Sequence, residues 1–209
     1  GSCQLDSSLV RTKTGIENAR YRVALNETGD IASIYDKVEE KELLSSPAVL
    51  EIFPDGSTEW PSWELHWEDY SETPVCLTEV TSLSVEEEGP AVLTLRVERK
   101  HNASVFVQKI RLFEGGERVD VENEVHWEEK ASMLLAKFPL TVSNPLAEFD
   151  GGLGCIKGAN NNYPYFQHNV HQFADLTDEK GDFGVSIYND CKYGMDKPDD
   201  HTLRLTLIH

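Results

Sequence analysis

Asn189-Asp190-Cys191-Lys192-Tyr193 brings an amide, a carboxylate, a thiol, an ammonium and a phenol into consecutive positions. They follow an alternating run, Phe183, Val185 and Ile187, that reads as a half-buried strand, and they precede the turn residues Gly194 and Pro198. Strand ends that open into polar loops are where sites are built, since the sheet fixes the loop ends and leaves the side chains free. Asp190, Lys192 and Tyr193 could bond the hydroxyls of a polyol. The same loop could equally be a hairpin held by Asn189 and Asp190 through local backbone hydrogen bonds. Lys192 could lower the pKa of Cys191, but no His or Asn partner can be assigned to that thiol, so the sequence supports no cysteine nucleophile.

Two other groups suit hydroxyl recognition. Trp60-Pro61-Ser62-Trp63-Glu64-Leu65-His66-Trp67 concentrates indoles, whose faces can stack on the C–H surfaces of sugar rings while their N–H groups seek acceptors. The competing reading is that Trp60, Trp63 and Trp67 cover an edge of the protein or its contact with a neighbouring domain, where Trp is also enriched. Asn160 and Asn161 each offer two donors and an acceptor, although Asn favours turns as well. They follow Gly151-Gly152-Leu153-Gly154, which reads as a strand with bulges leading into an Asn-rich loop. GxGxxG, a Walker lysine and a following helix are all missing there, so phosphate cradling is not supported. His168 and His171 stand three apart in a loop or strand context with no third ligand at a recognised spacing, and no metal ligand is assigned.

These groups need a scaffold, and alternation supplies it. Arg20–Leu25 and Ile31–Tyr35 alternate on either side of the turn Asn26-Glu27-Thr28-Gly29-Asp30 and predict a hairpin; a turn or short helix follows over Asp36–Leu44. Further strands are expected at Ala48–Phe53, Cys76–Val85, Ala91–Arg99, Ser104–Phe113, Val119–Trp127 and Leu134–Leu140, with hairpin signals at Glu114-Gly115-Gly116-Glu117 and a solvated turn at Glu86-Glu87-Glu88-Gly89-Pro90. In Val119–Trp127, Val119, Val121, Val125 and Trp127 share the buried face and Asp120, Glu122, Glu124 and His126 the wet one. No period of 3.6 persists beyond about two turns, so the class is all-β and mostly antiparallel, with stacked sheets hiding their edges.

The chain has 209 residues, enough for one large core. Its 37 acidic against 19 basic residues give a net charge of −18, which repels phosphate backbones and anionic lipid headgroups, so neither nucleic acid nor a membrane surface is expected as a partner. Cys3, Cys76, Cys155 and Cys191 lie far apart without CxxC spacing, which suggests neither a zinc ribbon nor a dense disulfide framework. Cys76, between Val75 and Leu77, reads as a buried strand residue. No apolar run approaches membrane-spanning length and no signal peptide is present, which leaves the compartment open between cytoplasm and export. Gly1-Ser2 reads as an expression scar. The alternation of Leu203, Leu205 and Leu207 against Arg204 and Thr206 still reads as strand where the chain stops, at His209, so residues 3–209 are expected to be a single β-sandwich domain cut from a longer protein.

The loop Asn189–Gly194 and the strand Leu203-Arg204-Leu205-Thr206-Leu207 resemble the NDCKYG-type loop and LRLxLxxxP-type strand in the C-terminal β-domain of glycoside hydrolase family 38 α-mannosidases of the bacterial type. Gly29-Asp30 through Lys37 resembles the family's DG-x-I-x-S-I-Y-D-K hairpin, with the turn shifted by one residue. Trp60, Trp63 and Glu64 match its WDAWDI stretch, with Pro61-Ser62 in the middle positions. Ile156, Asn160 and Asn161 match its IERGNN sequence without the Arg. Tyr165–Leu176 resembles YEVPAQQWADL, with Gln167 for its Glu, Asn169 for its Pro and Phe173 for its Trp.

The resemblance implies a large antiparallel supersandwich of the galactose-mutarotase-like kind. It further implies a parent that is a retaining α-mannosidase hydrolysing terminal α-mannosides in oligosaccharides, with two carboxyl groups about 5 Å apart. In the family the catalytic Asp pair and the zinc ligands belong to an upstream α/β domain followed by a helical bundle. This fragment therefore holds no catalytic residue, metal ligand or cofactor of its own and is expected to be inactive alone, with zinc expected in the missing catalytic domain. Its expected partners are those catalytic and helical domains of the same chain and the oligosaccharide substrate, reached through Asp190, Cys191, Lys192, Tyr193, Asn160 and Asn161. The competing readings are an independent carbohydrate-binding module, stacking sugar on Trp60, Trp63 and Trp67, and an aldose-epimerase-like enzyme using His126 with Glu124, a pair that alternation sets on one exposed face.

Overall fold

The computed structural model describes residues 6–61 and 63–209, so Cys3, Gly1-Ser2 and Ser62 lie outside the description. In chain order the first elements are β1 (Val10–Arg11), β2 (Gly15–Glu17), β3 (Tyr21–Leu25), β4 (Ile31–Asp36), β5 (Lys41–Glu42) and β6 (Val49–Pro54). The short helix α1 (Trp67–Ser71) and β7 (Val75–Cys76) come next, then β8 (Val80–Glu88), β9 (Val92–His101), β10 (Ser104–Phe113), β11 (Asp120–His126) and β12 (Ser132–Pro139). The chain ends with β13 (Leu146–Asp150), β14 (Cys155–Ala159), β15 (His168–Asn169), β16 (Phe173–Thr177), β17 (Gly184–Tyr188), β18 (Gly194–Asp196) and β19 (Thr202–Ile208). The all-β, antiparallel class expected from the alternation is the class observed.

The chain forms two compact units. One takes in the chain through Leu43 together with Leu77–Glu129; the other is Leu44–Cys76 with Lys130–His209.

The first unit holds a five-stranded sheet in the order β1-β2-β3-β4-β5 and a four-stranded sheet in the order β11-β10-β9-β8. Period-2 burial builds its core: Val23 and Leu25 on β3, Val97 on β9 and Phe106, Ile110 and Leu112 on β10 are buried. The expected hairpins form at Asn26–Asp30, where Gly29 takes φ +72°, and between β10 and β11, where Gly115 takes φ +64°. Val121 and Val125 on β11 are half-buried, as the alternation requires, while Glu122, Glu124 and His126 face solvent. An ion pair is buried in this unit: the Arg99 guanidinium lies 3.1 Å from Asp30, donates to Thr28 O at 3.1 Å and reaches Gln108 Oε1 at 2.7 Å.

The second unit holds a six-stranded sheet ordered β15-β18-β19-β12-β6-β7 and a four-stranded sheet ordered β14-β13-β16-β17. β12 is central to the larger sheet, and Met133, Leu134 and Leu135 in succession are fully buried, which requires both faces of that strand to be covered. β19, beside it, is buried the same way from Thr202 to Leu205. Strict alternation had set Arg204 on the wet side; a strand covered on both faces has no wet side, and Arg204 lies inside.

Four other expectations change. Cys76 is exposed, because it sits on β7, a two-residue edge strand. The expected Cys76–Val85 strand is broken at 77–79 into β7 and β8. Gly151–Gly154 is a tight turn joining β13 to β14, closed by Gly151 N donating to Gly154 O at 2.8 Å, and no bulged strand. The Asn189–Tyr193 loop is no hairpin: β17 belongs to the four-stranded sheet and β18 to the six-stranded one, so the loop crosses between the two sheets of this unit.

Candidate functional site

The second unit carries three connected features, beginning in its core. β18 and β19 place Asp196 directly opposite Arg204, and β12 places Lys137 opposite Arg204 on the other side. Arg204 Nε donates to both Asp196 oxygens at 3.0 and 3.1 Å, and Nη2 donates to Oδ2 at 2.5 Å. Lys137 Nζ bonds Glu51 Oε1 at 3.0 Å, and the second Glu51 oxygen lies 4.0 Å from Arg204 Nη1. Two cations and two carboxylates, one from each of four adjacent strands, thus form one charged row. Burial opposes the charge of Arg204, but the hydrogen bonds and charge of Asp196 outweigh it and hold the guanidinium above its ordinary pKa.

An aromatic ladder leads outward from that row. The Arg204 guanidinium lies 4.9 Å from the Phe53 ring centre and 5.4 Å from that of Tyr70. Phe53 stacks on Tyr70 at 6.0 Å, Tyr70 meets Phe166 at 5.2 Å, and Phe166 takes Trp67 edge-on at 5.3 Å. Burial, with Asp196 nearby, raises the Tyr70 phenol far above its ordinary value, so it stays protonated. Gln167 Nε2 donates to Tyr70 Oη and to Thr206 Oγ1, both at 3.2 Å. Gly194 leaves room for this amide, since a Cβ there would lie 2.8 Å from Gln167 Nε2.

The ladder ends at an open groove of about 480 Å³ lined by Trp60, Trp63, Glu64, Leu65, Pro164, Tyr165, Phe166 and Gln167. Trp63 N and Glu64 N both donate to Trp60 O, which makes the tight turn that carries the two indoles. Opposite, Asn162 N donates to Tyr165 O at 2.8 Å around a cis Tyr163-Pro164 bond. Trp60 is 60% exposed, Trp63 89% and Tyr165 80%. The three clustered tryptophans therefore divide: Trp60 and Trp63 line the groove, while Trp67 is half-buried on α1 against Phe166.

The third feature is the crossing loop. Asp190, Cys191, Lys192 and Tyr193 are all exposed, and Cys191 takes φ +57°. Asn189 Oδ1 accepts from Lys192 N at 3.1 Å, the local bond expected of it. The Tyr193 ring stacks on His171 at 6.0 Å, and the His171 backbone N donates to Asp150 O, so the Gly151–Gly154 turn and the loop share one rim. Contact with Cys191 raises the Tyr193 phenol, which is therefore a hydrogen-bond donor at neutral pH. His168 turns to other work: it stacks on Phe149 at 4.2 Å, and burial lowers its pKa. The two imidazoles thus make separate contacts.

Asn160 and Asn161 sit apart from this rim and face inward. Asn160 donates to Asp200 Oδ1 at 2.6 Å and accepts from the fully buried Lys197 Nζ. Asn161 donates to Asp196 Oδ2 at 2.6 Å and accepts from Lys197 N at 2.9 Å. In the first unit, Glu124 bonds Lys109 at 2.6 Å and His126 lies 3.1 Å from Glu128, so each member of the proposed acid–base pair has its own partner. The buried Arg204–Asp196 pair was missed in the sequence; its signal was an Asp eight residues before an Arg, with the Asp on a three-residue strand too short to be read as half of a hairpin.

The chain is 27% identical over 194 residues to alpha-mannosidase 2C1 of Mus musculus and 28% to that of Homo sapiens, in each case covering 86% of this chain and 18% of the relative. It is 29% identical to alpha-mannosidase G of Dictyostelium discoideum, spanning 17% of that protein. The chain thus spans less than a fifth of the length of these relatives. A crystal structure of a protein in glycosyl hydrolase family 38 from Enterococcus faecalis superposes with a TM-score of 0.82 at 16% identity, over 100% of this chain and 28% of that one, which shows a shared fold. The model of the glycosyl hydrolases family 38 C-terminal domain matches residues 16–209, and the chain belongs to that family.

Proposed function

We propose that this chain is the accessory β-domain of a retaining exo-α-mannosidase that removes terminal α-mannosides from oligosaccharides. It packs on the catalytic and helical domains of the same polypeptide and lends the Asp190–Tyr193 loop to the substrate cleft. The observation that carries this reading is the family match over residues 16–209 in a chain that covers only 18% of its mannosidase relatives. The exposed loop adds to it: a carboxylate, an ammonium and a protonated phenol are presented together, with Tyr193 braced by His171. Such a loop orients a sugar without performing the chemistry.

Zinc, as a holder of sugar hydroxyls, belongs on this reading to the catalytic domain outside these residues. Among the described residues no group of three or more His, Cys, Asp or Glu is placed to hold a metal ion.

Hydrolysis of an aryl α-mannoside by the full-length parent and by this chain tests the proposal. The parent should turn over with zinc and the chain alone should not. In the parent, Tyr193→Ala and Asp190→Ala should raise KM about tenfold each, as expected for lost positioning contacts. Metal-independent turnover by this chain, or unchanged KM in both variants, would remove the accessory role.

A further inference from the structure

We infer that the aromatic groove of the second unit binds a neutral pyranoside, with Trp60, Trp63 and Tyr165 as stacking rings and Gln167 and Glu64 as acceptors for its hydroxyls. The choice of an α-mannoside as the sugar rests on the proposed function; the pyranoside chemistry rests on the groove alone.

Three observations point to a sugar. First, the rings are exposed and carried on hydrogen-bonded backbone. Trp63 at 89% and Tyr165 at 80% exposure stand on tight turns, above a floor in which Phe166 is held by Tyr70 and Trp67. A large exposed apolar surface marks an interaction site, and aromatic side chains, with two χ angles, lose little freedom on binding. Second, polar groups converge beside them. Both bonds of Gln167 Nε2 go inward, to Tyr70 and Thr206, which fixes the amide and leaves Oε1 with no donor among the described residues. The Glu64 carboxylate stands on the lining too, 3.7 Å from His66. Third, the charge selects a neutral ligand: no Lys or Arg lines the groove, Glu64 does, and the chain carries a net charge of −18, so a phosphate or carboxylate ligand would be repelled. A groove of about 480 Å³, open along its length, is within the range of small-molecule sites and admits one or two sugar rings.

The test uses the full-length parent. Trp63 is modified with an indole-specific reagent, and the rate is followed by peptide mapping with and without methyl α-mannoside, mannobiose or a galactoside. Sugar should protect Trp63 in a saturable way. Tyr165→Ala should weaken that protection about tenfold, the worth of one stacking ring, and Gln167→Met should weaken it while leaving the fold intact. Equal modification rates at all sugar concentrations, or protection unchanged in both variants, overturns the inference. So does a Trp63 that is already unreactive without sugar, because a neighbouring domain then fills the groove. Protection by a galactoside in a parent that hydrolyses no α-mannoside upholds the groove and sinks the proposed function. Mannoside hydrolysis without any protection does the reverse.

Discussion

Replacing Arg204 by leucine is the substitution the second unit should tolerate least. The change leaves Asp196 and Glu51, with side chains 1% and 3% exposed, sharing a single cation, Lys137, that touches only Glu51. Breaking one partner out of a buried pair costs about 3–5 kcal/mol, because the remaining charge keeps its desolvation and loses its compensation. Loss of the contacts to Phe53 and Tyr70 adds about 1 kcal/mol, roughly offset by the apolar surface that leucine buries. A net loss of about 4 kcal/mol is a large share of the 5–15 kcal/mol that typically holds a domain. With a urea dependence of about 2 kcal/mol per molar, the midpoint should fall by about 2 M. Tryptophan fluorescence reads the right unit, since Trp60, Trp63 and Trp67 lie there and only Trp127 lies in the other. The double variant Arg204→Leu with Asp196→Leu should recover much of the loss, because both charges leave together and Glu51 keeps Lys137. A single variant costing under about 1 kcal/mol, or a double variant as costly as the two singles summed, would refute the account of a matched buried row.

His168 packs flat on Phe149, and burial lowers its pKa, so its neutral form contributes stability that is lost as pH falls below its ordinary value through the lowered folded one. Melting temperature should therefore drop between about pH 7 and pH 5.5, and less so in His168→Phe, which keeps a ring without the proton. Asp36 behaves as a depressed carboxylate: burial raises its pKa, but the Glu39 and Val38 amides and Arg20 lower it further. Asp36→Asn should cost about 1–2 kcal/mol at pH 7, and the difference should shrink as pH falls below the ordinary Asp value through the lowered folded one, as a series of thermal scans into acid would show. Gly15 lies so close to its partner strand that an added Cβ would sit 1.8 Å from Val23 O. Gly15→Ala should cost at least about 2 kcal/mol by urea titration, as an overpacked position does; a neutral result would mean that β2 can shift.

Strands with one wet face were legible in the sequence because alternation needs only local chemistry. β3, β10, β11 and β17 appear where Tyr21–Leu25, Ser104–Phe113, Asp120–His126 and Gly184–Tyr188 alternate, and their hairpin glycines take the positive φ that those turns demand. β19 defeated the same rule: with both faces covered, its buried polar position carries no local mark, and only its pairing with β18 shows that Arg204 meets Asp196. Cys76 failed for the opposite reason, since apolar neighbours suggest burial but a two-residue edge strand supplies no cover. Among the site candidates, sequence picked out the Asp190–Tyr193 loop and the tryptophans as exposed groups. It could not tell that Trp67 turns inward or that Asn160 and Asn161 bond Lys197 and Asp196, because those are contacts between segments more than thirty residues apart.

The exposed and buried halves of the second unit are mechanically one piece. Arg204 presses on Phe53 and Tyr70, Tyr70 holds both Phe166 and the Gln167 amide, and Phe166 with Gln167 makes the floor between Trp63 and Tyr165. A charge buried two contacts from the groove lining should therefore bear on the position of its floor, through rings that have few rotamers to relax into. Two variants separate this coupling from simple stability. Tyr70→Phe keeps the ladder but removes the hydroxyl that fixes Gln167, so it should change sugar protection of Trp63 more than it changes the melting temperature. Leu134→Ala, buried on the face of β12 opposite Met133 and Leu135 and so away from the ladder, should lower the melting temperature by several degrees, as a cavity of that size does, and leave the protection unchanged. If the two variants act alike on both readouts, the groove answers to overall stability and the ladder transmits nothing.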